Sequence, residues 1–153
     1  MADTFTQIYI QVVFAVNGRN SLIHPDWEQR LYQYITGIVR SKKQKIIAIS
    51  GTPDHIHFFI GMKPNCCLSD LVREVKKSSN EFVNENKLSK FKFSWQEGFG
   101  AFPYSHSQID LVAKYVLNQK AHQQAITFKE EYLDFLKKFD IVHDEKYLFE
   151  WFE

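Results

Sequence analysis

Residues 5–16 alternate along the chain. Ile8, Ile10, Val12, Phe14 and Val16 fall on one face; Gln7, Tyr9, Gln11 and Val13 fall on the other. A period of two predicts a strand, and Asn17-Gly18-Arg19-Asn20-Ser21 predicts the turn that ends it. Over 25–41 the period lengthens. Trp27, Leu31, Tyr34, Ile35, Ile38 and Val39 recur at helical spacing, and Pro25 suits a first helical turn. Residues 45–50 are rich in β-branched side chains, 51–54 (Gly-Thr-Pro-Asp) read as a tight turn, and 55–61 as its partner strand, together an antiparallel hairpin. A second helix is predicted over 69–86, with Leu68, Leu71, Val72, Val75 and Phe82 marking its buried stripe. The alternation of 91–95 predicts a further strand. Gly98 and Gly100 interrupt it, and Ala101-Phe102 resume an extended segment. Helices over 107–122 and 128–138 precede an aromatic-rich tail to Glu153.

The predicted order is β-α-β-β-α-β-α-α. Its first six elements give an α+β fold of the ferredoxin-like (RRM-like) kind, an antiparallel sheet with helices on one face, plus C-terminal helices. The length of 153 residues fits one domain over 1–153, with a core at about 5–125 and a C-terminal helix and tail at about 126–153.

Composition changes this picture little. The formal net charge is only +1, so the chain is not a globally basic nucleic-acid binder and any such surface must come from local clustering. Clusters exist: Lys42, Lys43 and Lys45; Arg73, Lys76 and Lys77 on one face of the second helix; Lys87, Lys90 and Lys92. They can track phosphates, with Trp95 nearby to stack on a base, although solvated lysines give the same pattern. The two cysteines, Cys66 and Cys67, are adjacent and make no ordinary disulfide staple. With no secretory leader and no run of apolar residues long enough to span a bilayer, the expectation is a cytoplasmic protein with no membrane partner.

Three motifs carry chemistry. In His55-Ile56-His57 the histidines share one face of a strand, where two imidazoles can hold one divalent cation; a pair of hydrogen-bonded sheet histidines would look the same. Tyr115 and Gln119 are four residues apart and neighbour each other on a helix, rotated toward the rim of its apolar stripe of Ile109, Val112, Ala113 and Val116, and a rim tyrosine beside an exposed glutamine is the plainer alternative. His122 lies on nearly the same side. Trp95-Gln96-Glu97-Gly98-Phe99-Gly100-Ala101-Phe102 sets two glycines among aromatics, a pattern suited to a bend beside a cleft.

Taken together, His55-Ile56-His57 followed by Tyr115-Val116-Leu117-Asn118-Gln119, with the 95–102 segment between them, resembles the HUH-type single-tyrosine transposases of the insertion sequence 200/605 family. The resemblance covers about residues 5–125. It implies that His55, His57 and Gln119 bind Mg2+ or Mn2+, and that Tyr115 is the nucleophile that cleaves and rejoins single-stranded DNA through a 5′-phosphotyrosine. It also implies a homodimer, a substrate at the hairpin ends of a mobile element, and work at the nucleoid. The chemistry fits: a cation offsets the phosphodiester's charge, and a covalent tyrosyl link conserves the bond for rejoining. A host-adapted relative that binds or cuts single-stranded DNA without transposition would carry the same motifs.

Overall fold

The computed structural model describes residues 2–151. Four strands, β1 (Tyr9–Ala15), β2 (Lys45–Thr52), β3 (His55–Gly61) and β4 (Gly100–Tyr104), form one sheet in the order β2-β3-β1-β4. Each neighbouring pair is antiparallel. This is the ferredoxin-like order that the sequence predicts, with β3 and β1 in the centre. Helix α1 (Pro25–Ser41) links β1 to β2, and α2 (Leu68–Glu85) links β3 to β4. Helices α3 (Ile109–Leu117), α4 (Gln119–Ala125) and α5 (Phe128–Lys138) follow the sheet.

The pleat divides the core. Val12, Phe14, Ile56, Phe58 and Ile60 share a cluster with Leu31 and Ile35 of α1 and Val72 and Val75 of α2. The other face is covered by the C-terminal helices: Phe59 packs with Val112 and Val116 of α3, and α5 lays Phe135 against Phe102 and His57.

Two elements depart from the sequence expectation. The segment 91–95 is not a ladder strand; it touches the sheet through one bridge, Val16 to Trp95. Side chains take over its backbone groups. Asn84 accepts from the Phe93 N–H and donates to the Phe93 carbonyl, and the Ser94 N–H donates to Ser21 Oγ. Gly98, at φ +83°, turns the chain, and the true fourth strand begins at Gly100. The helix predicted over 107–122 is interrupted at Asn118 (φ −102°, ψ 23°), which separates α3 from α4.

The β2–β3 hairpin is tight enough to fix the first histidine. A Cβ at Gly51 would collide with the His55 carbonyl oxygen, so only glycine lets the two strands close there.

Candidate functional site

Every residue from His55 to Ile60 is buried, so alternation places apolar side chains under α1 and α2 and both imidazoles under α5. His55 and His57 are 0% exposed, as is Gln11 of β1. Partners at Nδ1 orient each ring. His55 Nδ1 lies 2.7 Å from Asp54 Oδ1 and 2.9 Å from Thr52 Oγ1. His57 Nδ1 lies 2.6 Å from Gln11 Oε1. A carboxylate and an amide oxygen only accept, so both Nδ1 atoms donate and both Nε2 atoms face inward. Such outer partners set the tautomer of metal-binding histidines.

What meets Nε2 is Glu131, from α5. Its Oε1 is 3.1 Å from His57 Nε2 and 3.5 Å from His55 Nε2. Gln119 Oε1 stands 3.2 Å from His55 Nε2, and Gln119 Nε2 donates to Glu131 Oε2 at 3.3 Å. The ligand atoms of His55, His57 and Glu131 all lie within 4.8 Å of one another, a group that can hold a metal ion. With Nδ1 already donating, two ring nitrogens and two oxygens converge lone pair to lone pair, and a cation or a proton must sit among them. Two imidazoles with oxygen donors fit a divalent cation.

Tyr115 of α3 completes the centre. Its hydroxyl donates to Glu131 Oε2, its ring lies 6.1 Å from that of His57 and 4.4 Å from that of His122, and it is half-buried where Gln119 is 0% exposed. The break at Asn118 turns Gln119 inward while Tyr115 stays at the rim. A cavity of about 450 Å3 opens at that rim, with Tyr115, His122, Gln11 and Glu131 in its wall.

The charges follow from these contacts. Burial opposes charge on Glu131, but the imidazoles of His55 and His57 beside it outweigh that, and the carboxyl is held well below the usual range. Burial also opposes charge on His55, yet the Asp54 and Glu131 carboxylates raise it; His57 goes down because burial wins. Burial first, then the Glu131 carboxylate, pushes the Tyr115 hydroxyl up.

The four residues expected at the centre, His55, His57, Tyr115 and Gln119, therefore come together within one chain. Glu131 was missed, although it had a signal. On α5, Phe128, Tyr132, Phe135 and Leu136 are buried, and Glu131 falls on that stripe at i+3 from Phe128, 2% exposed. An acid in an apolar stripe needs partners.

The expected DNA contacts divide. Lys42, Lys43, Arg73 and Lys77 converge with Lys63 on one groove of about 500 Å3, between the end of α1 and the start of α2, which also holds Asp70 and Glu74. Lys76 and Trp95 lie elsewhere. The Lys76 ammonium donates to the carbonyls of Gln96 and Gly98 and sits over the Phe14 ring. Trp95 packs edge-on against Phe14 and Phe93, and its Nε1 donates to Ser79.

Among known proteins, the family model described as transposase IS200 like matches residues 4–119. A crystal structure from Deinococcus radiodurans R1, described as a transposase, has a TM-score of 0.62 at 16% identity, covering 78% of this chain and 95% of that one. A REP-associated tyrosine transposase bound to a REP hairpin has a TM-score of 0.55 at 18% identity, covering 77% of this chain and 72% of that one. At such identities the likeness is one of fold. No curated protein matches in sequence. Among the described residues, no helix is long and apolar enough to cross a membrane.

Proposed function

The chain belongs to the IS200-like transposase family, and we propose that it cleaves and rejoins single-stranded DNA with Tyr115 as nucleophile beside a divalent metal site of His55, His57, Glu131 and Gln119. The observation that carries this reading is the Glu131 carboxylate, whose Oε1 faces both Nε2 atoms while Oε2 accepts from the Tyr115 hydroxyl. One side chain thereby ties the metal set to the nucleophile.

In the proposed step, Tyr115 Oη forms a bond to the scissile phosphorus and the bond from phosphorus to the 3′-oxygen breaks. The phenol proton leaves toward Glu131 Oε2, which already accepts from that hydroxyl; the DNA 3′ of the cut stays on the tyrosine as a 5′-phosphotyrosine, and the released 3′-oxygen takes up a proton in exchange. Attack by a 3′-hydroxyl reverses the step and joins a new strand. A bound Mg2+ or Mn2+ supplies charge for the phosphate and acidifies the groups it touches. The chain's own residues do the rest: Asp54, Thr52 and Gln11 hold the imidazoles, and Glu131 holds the phenol in place. The metal-site side chains are buried under α5, so the phosphate enters from the Tyr115 rim.

The groove of Lys42, Lys43, Lys63, Arg73 and Lys77 suits the phosphates of a hairpin flanking the cut. Lys76, held by the carbonyls of Gln96 and Gly98, and Trp95, packed in the core, leave direct contact to that groove. Homodimerisation and action at the nucleoid belong to the same proposal.

The test is a denaturing gel of the protein incubated with single-stranded DNA and Mn2+. Wild type is expected to give a covalent adduct and Tyr115→Phe none. An undiminished adduct from Tyr115→Phe would show that the nucleophile lies elsewhere. A wild-type protein that binds DNA but never gives an adduct would favour a binding module.

A further inference from the structure

The cavity beside Tyr115 is larger than a phosphate needs, and much of its lining has the wrong chemistry for one. Its wall also holds Tyr104, Leu111, one helical turn before Tyr115 on α3, and Phe139, and the cation it contains, Lys138, is already paired with Asp134 at 3.1 Å. Leu111 is 71% exposed, an apolar side chain left at the rim of a catalytic opening. Apolar walls disfavour an anion, whereas every nucleobase has a π face that stacks on aromatic rings. The rings here are held before any ligand arrives. Phe139 packs edge-on to Tyr104 at 5.5 Å and against Phe102 at 5.1 Å, so little side-chain freedom is lost on binding.

The same cavity presents hydrogen-bonding groups at its edge. Gln108 Oε1 accepts from the Ser105 N–H, and among the described residues its Nε2 has no partner. Tyr104 accepts from Gln11 Nε2, and among the described residues its own O–H has no acceptor. Two donors over an aromatic wall complement the acceptor atoms on the edge of a base. Position selects the occupant. A phosphorus within reach of Tyr115 Oη brings the nucleoside attached to it to this opening.

We propose that the cavity lined by Tyr104, Gln108, Leu111 and Phe139 is a nucleobase pocket, which takes the unpaired base of a nucleotide flanking the scissile phosphate and so selects where the strand is cut. The inference rests on Tyr115 being the nucleophile.

The probe is a single-stranded oligonucleotide pool with a randomised centre, incubated with the full chain and Mn2+; adducts are isolated and their junctions sequenced. Wild type is expected to show a strong base preference at one position flanking the cut, and Gln108→Ala to flatten it. On the best sequence, an abasic residue at that position should lower the wild-type adduct yield about tenfold or more. In Phe139→Ala the same abasic residue should change the yield less than about twofold, because the stacking wall is already gone. Thermal melting of both variants separates loss of fold from loss of selection, and Gln108, exposed at its helix start, keeps the test open if Phe139→Ala unfolds. Adducts with no base preference, or equal yields from intact and abasic strands, would overturn the pocket while leaving Tyr115 as nucleophile. No adduct at all would overturn the parent reading and the pocket with it. Equal losses on intact and abasic strands, together with a dimer that dissociates in Leu111→Ser by sedimentation, would assign the cavity to a second copy of the chain.

Discussion

The two faces of β3 are buried to the same degree and built on opposite principles. Ile56, Phe58 and Ile60 are 0% exposed and belong to the apolar cluster under α1 and α2; His55 and His57 are also 0% exposed and meet Asp54, Thr52, Gln11, Gln119 and Glu131. On the first face burial itself stabilises the fold. On the second, burial is a cost that hydrogen bonds offset without a large surplus. Burial alone therefore does not tell core from site; the partners of each buried atom do.

Four substitutions can break or sharpen this contrast. Phe58→Ala should have the largest effect on stability, a loss of about 3–5 kcal/mol in urea unfolding, while the folded fraction still gains stability from Mn2+. If that gain also vanished, the faces would be coupled and the division drawn here would be wrong. His57→Ala should cost less, about 1–3 kcal/mol in metal-free protein, but should abolish the rise in melting temperature on adding Mn2+; an unchanged rise would remove His57 from the metal set. Gln11→Ala should leave the fold nearly intact and weaken Mn2+ binding about 10–100-fold by calorimetry, and unaltered affinity would mean that its bond to His57 Nδ1 does not orient the ring.

The smallest effect lies at Lys76, which stands on the apolar side. Burial lowers its ammonium to about 8 from an ordinary 10.5. The folded state thus disfavours the charged form. The cost is full below about pH 8 and is relieved as pH rises toward 10.5, so wild type should gain stability relative to Lys76→Gln between pH 7.5 and 9.5, by less than about 1 kcal/mol. Parallel urea curves at the two pH values would contradict this.

The sequence disclosed each face to a different depth. Alternation in 55–58 and in 8–16 specified both which residues share a side and which elements are strands, and the order of elements then left one familiar topology. That Tyr115 and Gln119 lie close together was legible from their spacing, although the bend at Asn118 that turns one inward and leaves the other at the rim was not, because asparagine gives only a weak local signal against helix. The segment 91–95 misled for a physical reason: Phe93 and Trp95 do share a buried side, but Asn84 and Ser21, distant in sequence, take the hydrogen bonds that a strand would have made. Glu131 stayed hidden because its partners lie on strands and helices far away in sequence, His55 among them. What marked it was an acid in an otherwise apolar stripe. The clustering of Lys42, Lys43, Arg73 and Lys77 in one groove was beyond linear reading, since it depends on α1 ending where α2 begins.

The Phe128 ring lies over His55 at 3.7 Å, nearly parallel at 3°. Such a ring shields nuclei held above its face, so the His55 ring protons are expected far upfield of ordinary imidazole resonances. Because Phe128 sits at the start of α5, three residues before Glu131, that displacement serves as a built-in gauge of whether the helix still covers the centre. One-dimensional proton spectra recorded through a DNA titration would follow it without any label or probe.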